Sequence, residues 1–340
     1  MPKFKLFILI IFLIIGAFPK CQQSIERKPK INGLSFVASK DTIKQKHIKP
    51  ILKVNANWVS IMPFAFMRRL DADTLHYNNK NQWYGEREEG VRQSIEMMHK
   101  NKIKVMLKPQ IWIGNGDFTG HIDMNSEEGW QNFEQQYKDM ILVFAKVAEE
   151  TTTEMLCIGT ELNSFVSKRT AFWSDLIVEV KKVYHGELTY AENWDKIENV
   201  PFWSSLDHIG VDAYFPISEA KTPDLDSVKV KWETITDKLK ILSETNQAPI
   251  LFTEFGYRSI DFAGKEPWDS KRVEGQINEK AQAVLLQGLM ESTWDKDWFS
   301  GGFLWKWFHE PDKYTDWQEN RFSVYGKEAE EVIRRHYNLN

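Results

Sequence analysis

Two glutamates stand where an apolar, strand-length segment gives way to polar chain. Glu161 closes the run MLCIGTELN (155–163), and Glu254 lies at the same place in PILFTEFGY (249–257). Taken singly, a carboxylate at a strand end reads as a helix cap, a surface residue or half of an ion pair. Two of them across one cleft are the minimum equipment for hydrolysing a glycosidic bond. One must hold a proton for the leaving oxygen; the other must be ionised to attack the anomeric carbon. A pair about 5–5.5 Å apart forms a covalent glycosyl-enzyme and retains configuration. Apolar walls and a neighbouring negative charge keep the acid protonated, while a donating Tyr or Arg keeps its partner anionic.

The elements that must position them follow from periodicity. Strand-length apolar runs occur at 31–39, 57–66, 103–112, 154–162, 188–194, 208–216, 249–257 and 301–309. Amphipathic stretches lie between them, among them 86–100, 127–150, 175–184, 228–244 and 279–293, and a last helix follows over 326–337. Asn125, three residues before Glu128, signals the start of the second stretch. Eight alternations without a composition break predict an α/β fold, a single (β/α)8 TIM barrel over residues 31–340. A doubly wound sheet would carry about six strands and a Gly-rich first turn, which is absent. Links from helix back to strand are short (near 101, 186 and 247), whereas those leaving strand ends are long (67–85, 113–126, 258–276, 310–326). In such a barrel the long loops wall the active site, so Glu161 and Glu254 fall on the working face.

Period-two reading adds to that face. On the third strand Met106, Lys108, Gln110 and Trp112 share one side. On the sixth, Asp212 and Tyr214 do, and on the eighth Phe303, Trp305, Trp307 and His309. Helices must cover the greasy outer side, so these polar and aromatic sets point inward.

Composition excludes several function classes. A net charge of −4 gives no electrostatic reason to expect a nucleic-acid partner, and no Gly-rich phosphate loop appears. The chain carries 14 Trp, 10 Tyr and 21 Phe, more rings than a core needs, and flat exposed rings stack on sugars. Trp58, Trp130, Trp173 and Trp232 are assigned to the core. His309 is a candidate for the cleft and His121 lies in a long loop of the working face, but no His pairs with another His or Cys at metal-ligand spacing. Neither a metal nor a cofactor is expected. No G-x-S-x-G elbow suggests a serine hydrolase.

The N-terminus stands apart. A short basic region precedes an apolar run of 13 residues, Leu6 to Phe18, which suits a signal segment and is short for a membrane span. Cys21 follows where a lipoprotein signal is cut and acylated. Residues 1–21 are therefore expected to be a signal peptide with a lipidated cysteine, and 22–30 a polar tether. The protein is expected to be exported and lipid-anchored at a bacterial cell envelope, otherwise periplasmic or secreted. Membrane contact would come only through this N-terminal segment. Cys157, inside an apolar strand, reads as a core residue, and the barrel is expected to be a monomer.

A string of motifs in order, MLKP (106–109), GTEL (159–162), LTYAENWD (188–195), IGVDAYFP (209–216), FTEFGYRS (252–259) and EPWD (266–269), resembles glycoside hydrolase family 113. The resemblance runs from about Asn32 to the C-terminus. It implies a retaining β-1,4-mannanase of the (β/α)8 clan, acting on a polysaccharide or oligosaccharide, with Glu161 as acid/base and Glu254 as nucleophile. Tyr214 would donate to the nucleophile, and Trp305 or Trp307 would floor the cleavage site. Lys108, Asn193 and Asp212 would bind hydroxyls; Trp112, Trp194 and Trp268 would be sugar platforms, and Tyr257 a further substrate contact. Lys108 reads equally as a cation neutralising carboxylates. Thr160 suits the family, while Glu192 is a third carboxylate where a small residue is expected, to be read as a substrate contact or ion-pair partner. Another β-glycan as substrate, or a glycan-binding barrel without turnover, stay open.

Overall fold

The computed structural model describes residues 29–269, 275–314 and 318–339. The signal segment, Cys21 and all but the last two residues of the tether lie outside the described residues.

Eight parallel strands close into a barrel. In order around it they are β1 (Ile31–Phe36), β10 (Phe299–Trp307), β9 (Ile250–Phe255), β8 (His208–Asp212), β7 (Glu187–Asn193), β6 (Met155–Thr160), β4 (Lys104–Leu107) and β2 (Trp58–Ile61). This is the (β/α)8 fold that the alternation predicts. Among the described residues the α-helices are α1 (Gln45–Lys53), α2 (Glu88–Lys100), α3 (Glu127–Glu150), α4 (Asn163–Lys168), α5 (Thr170–Val183), α6 (Leu225–Asn246), α7 (Glu279–Thr293) and α8 (Glu328–Leu339).

The side chains sort into two cores. Ile31, Trp58, Met106, Met155, Cys157, Ala191, Leu251 and Phe303 fill the barrel interior. Outward residues such as Leu34, Val105, Ile158, Val211 and Phe252 join the helices in the larger outer core. The interior leaves no room at Gly33, where a Cβ would come within 2.4 Å of the Phe303 ring. At the base, Trp294 Nε1 donates to Asn32 Oδ1 (2.8 Å) and Tyr337 Oη to the Gly33 carbonyl (2.8 Å), tying α7 and α8 to β1.

Two expected strands prove to be four. The runs 57–66 and 103–112 break at Pro63 and Pro109, which have no N–H to give the ladder. Beyond the break, β3 (Phe64–Met67) pairs with β5 (Gln110–Ile113) as a separate parallel two-stranded sheet. Gln110 N–H still donates to the Pro63 carbonyl (2.9 Å), so this flange continues upward from β2 and β4. The long loop after β3 folds back onto it through an antiparallel bridge between Phe66 and His76. Helix α3 is capped one residue later than the sequence signal: Ser126 Oγ, not Asn125, accepts the Gly129 N–H (3.0 Å), and Asn125 instead donates to Asp71 (2.9 Å). Helix α1 has no counterpart among the amphipathic stretches because it is only nine residues long and contains Pro50.

Candidate active site

Glu254 is the fifth of six residues in β9 and is 6% exposed. Three groups from two other strand ends converge on it. Lys108 Nζ lies 2.6 Å from Oε1, Gln110 Nε2 donates to the same oxygen at 3.3 Å, and Tyr214 Oη donates to Oε2 at 2.9 Å. Its carboxylate is thus held on both oxygens by one cation and two neutral donors.

Beneath it, Asp212 ends β8 with no exposed surface, accepting from Lys108 (3.3 Å) and from Thr253 Oγ1 (2.8 Å). Burial pushes the Asp212 carboxyl up to about 7, against the pull of Lys108 and with the push of Glu254. Burial draws the Lys108 ammonium down, but Asp212 and Glu254 outweigh it and hold it above the ordinary lysine value. Lys108 is therefore a fixed cation shared by two carboxylates. Neither it nor Asp212 offers surface to a sugar hydroxyl, which corrects the direct substrate contacts that the resemblance implies for both.

Glu161 follows β6 with a left-handed backbone, φ 53. Its N–H donates to the Ala191 carbonyl (2.8 Å), and the next N–H, of Leu162, donates to Tyr190 Oη (2.9 Å). The side chain is half-buried, and its carboxylate accepts no hydrogen bond from the described residues. Desolvation first, then the charges of Asp212 and Glu254, hold its carboxyl well above the ordinary glutamate value. The mouth therefore carries one carboxylate supplied with donors and a second one that favours its proton.

Aromatic surfaces flank this pair on two sides. On the flange Trp112, 53% exposed, meets Phe64 edge-on with ring centroids 6.3 Å apart. Beside it lies a hollow of about 930 Å³, lined by Phe66, His76, Gln82, Trp83 and Trp112 among others. On the loops after β7 and β9, Trp194 and Trp268 lie 5.5 Å apart at 33°, with Trp268 45% exposed. Trp305 is half-buried, with the Lys306 ammonium 5.2 Å from its ring centroid, and Asn193 is half-buried at the end of β7.

Four sequence readings need correction. Trp307 is 1% exposed, in the outer core against Tyr325. The register of β10 on β1 slips between Leu34 and Phe36, so that Leu34 faces Leu304 but Phe36 faces Trp307. That extra residue takes Trp307 out of phase with Phe303 and onto the outer side. Tyr257, also 1% exposed, lies past the end of β9 in the same outer core, away from the cleft. His309 packs edge-on against His47 of α1, ring centroids 5.4 Å apart. Glu192 makes no ion pair among the described residues; it faces outward with Tyr190, fully buried, and accepts a hydrogen bond from that residue's hydroxyl. Conversely, Gln110 and Thr253 reach the carboxylates without having been singled out. Gln110 shared Lys108's face of the third strand, which was the available signal. Trp83 sits within a long loop, where no periodicity points to it.

A closed parallel barrel whose mouth presents such a carboxylate pair between aromatic surfaces defines the class of (β/α)8 glycoside hydrolases. Residues 38–327 match Glycoside Hydrolase Family 113, and the chain belongs to that family. The GH113 β-mannanase AaManA from Alicyclobacillus acidocaldarius superposes with a TM-score of 0.80 at 25% identity, over 92% of this chain and 98% of that one. A second GH113 β-1,4-mannanase gives 0.80 at 24% identity, over 92% and 100%. A GH2 β-galacturonidase from Eisenbergiella tayi shares the fold alone, with a TM-score of 0.57 at 16% identity, and the match spans 52% of its chain. No curated protein matches the sequence. The protein is accordingly a glycoside hydrolase.

Proposed function

We propose that the protein hydrolyses β-1,4-mannosidic linkages in mannan or manno-oligosaccharides by double displacement, with Glu254 as nucleophile and Glu161 as acid/base. The observation that carries this reading is the asymmetry between the two carboxylates. Glu254 receives Lys108, Gln110 and Tyr214, whereas Glu161 accepts nothing from the described residues and holds its proton. In the first step an oxygen of Glu254 bonds to the anomeric carbon while the glycosidic C–O bond breaks and the leaving oxygen takes the Glu161 proton. In the second, Glu161 as carboxylate removes a proton from water, the hydroxyl bonds to the anomeric carbon, and Glu254 leaves as carboxylate. Lys108 stays charged throughout and offsets the negative charge returned to Glu254.

The exposed rings of Trp112 and Trp268 support a cleft open on both sides of the cleavage point, as binding within a chain requires. The leader and Cys21 support export and lipid anchorage at a bacterial cell envelope, a reading that rests on sequence alone.

Incubating the protein with mannohexaose and resolving the products tests the assignment. We expect internal cleavage to shorter manno-oligosaccharides, and a loss of about 10²–10⁴ in kcat for Glu161→Gln on that substrate. Binding without cleavage, or activity confined to a different glycan, would overturn it.

A further inference from the structure

Glu192 is the carboxylate that the mechanism above does not use. It lies on the outward face of β7 with Tyr190, has no exposed surface and forms no ion pair among the described residues. Its two oxygens are spent locally: Oε2 accepts the Tyr190 hydroxyl proton (3.1 Å) and Oε1 accepts the Asn193 N–H (2.9 Å). An ionisable group buried this way costs stability, so its presence asks for a function.

The Tyr190 hydroxyl links Glu192 to the reacting pair. While donating to Glu192 it accepts the Leu162 N–H (2.9 Å), one residue beyond Glu161. Its ring is clamped by Trp173 and Phe202, with centroids 5.2 and 5.5 Å away. Glu161 needs such support, because a non-glycine residue with φ 53 adopts a sparsely populated conformation that its surroundings must impose. Two hydrogen bonds from successive N–H groups impose it, Glu161 to the Ala191 carbonyl and Leu162 to Tyr190, and both acceptors belong to β7.

We propose that Glu192 is a positioning residue: through Tyr190 it latches the backbone at Glu161, and so sets how that carboxyl meets the leaving oxygen. The inference rests on Glu161 being the acid/base. A carboxylate acceptor polarises the Tyr190 hydroxyl and strengthens its grip on Leu162. Electrostatics act in the same direction. Burial, offset by the Asn193 N–H and Tyr190, raises the Glu192 carboxyl to about 7, with Asp195 raising and Lys196 lowering it further. Its charge is one of those that raise Glu161, after burial and the charges of Asp212 and Glu254 and against that of Lys108.

The test uses the full chain and three variants, Glu192→Gln, Glu192→Leu and Tyr190→Phe, with thermal unfolding as a check on folding. The reading is kcat/KM, which reports the first displacement, on mannohexaose and on 2,4-dinitrophenyl β-mannoside, whose leaving group needs little proton assistance. Glutamine still accepts from Tyr190 but carries no charge. Glu192→Gln should therefore keep the wild-type ratio between the two substrates at pH values below the basic limb, and move that limb to lower pH on mannohexaose. Glu192→Leu and Tyr190→Phe break the latch, and each should lose about tenfold to a hundredfold on mannohexaose with a much smaller loss on the aryl substrate. Equal losses on both substrates, or an unmoved pH limb in Glu192→Gln, would overturn the proposal. Glu161→Gln run in parallel separates the two readings. If it keeps wild-type kcat/KM on mannohexaose, the acid/base assignment falls and the latch with it. If it is inactive while the three variants match wild type, the latch alone falls.

Discussion

Lys108 and Glu254 face each other at 2.6 Å in a site where the lysine has no exposed surface, with Asp212 as the lysine's second partner. A single cation there keeps two carboxylates side by side. Replacing it with methionine keeps the length and removes the charge, leaving Asp212 and Glu254 opposed. Lys108→Met should cost at least about a hundredfold in kcat while leaving KM for mannohexaose within a few-fold, since the lysine touches Glu254, the proposed nucleophile, and offers no surface to the sugar. A raised KM with intact kcat would instead make Lys108 a substrate ligand. The pH profile follows from Glu161. Its carboxyl is held well above the ordinary glutamate value by burial and by the carboxylates Asp212 and Glu254, so the protonated form persists to higher pH than in an exposed glutamate. Activity on mannohexaose should fall as pH rises through that raised value, and the limb should disappear with a dinitrophenyl leaving group. A pH profile identical for both leaving groups would argue that Glu161 is not the proton donor.

Each strand end decides which side chains enter the cleft. Asp212 and Tyr214 were legible because the alternation of their strand carries them inward. Glu161 and Glu254 were legible because each closes an apolar run of strand length, although the pairings of β6 with β7 and of β9 with β8 slip just before them. Trp307 was not, because the slip that moves it outward lies in the pairing of β10 with β1 and leaves no mark in the spacing of β10 itself. The flange was hidden for a related reason. Pro63 and Pro109 could be read as breaks, but their alignment across two strands, which lifts β3 and β5 together, is a tertiary fact. These placements separate two kinds of tryptophan. Trp112→Ala should raise KM for mannohexaose about tenfold, by loss of a stacking surface, with little change in thermal stability. Trp307→Ala should lower stability by about 3–5 kcal/mol, measured by denaturant unfolding, and leave KM unaltered in the molecules that remain folded. The reverse pattern would put Trp307 back in the cleft.

At the scale of the molecule, closure of eight strands brings β6 and β9, far apart in sequence, to one mouth. The order of short and long connections exposed which end that is, since it follows directly from chain length between periodic segments. The layering of the barrel was equally readable, because inward and outward residues differ in kind along β4 and β8. The partition between flange and barrel was not, and the hollow beside Trp83 came with it. The proposed mechanism turns on one bond, between Glu254 and the anomeric carbon. Incubation with a 2-deoxy-2-fluoro-β-mannosyl donor bearing a good leaving group should trap it, because the fluorine slows both displacements and the leaving group restores the first. Peptide mass spectrometry should then find one fluoromannosyl adduct, on Glu254 within PILFTEFGY, and a matching loss of activity. An adduct on another carboxylate, or no adduct together with unimpaired turnover in Glu254→Gln, would contradict the account.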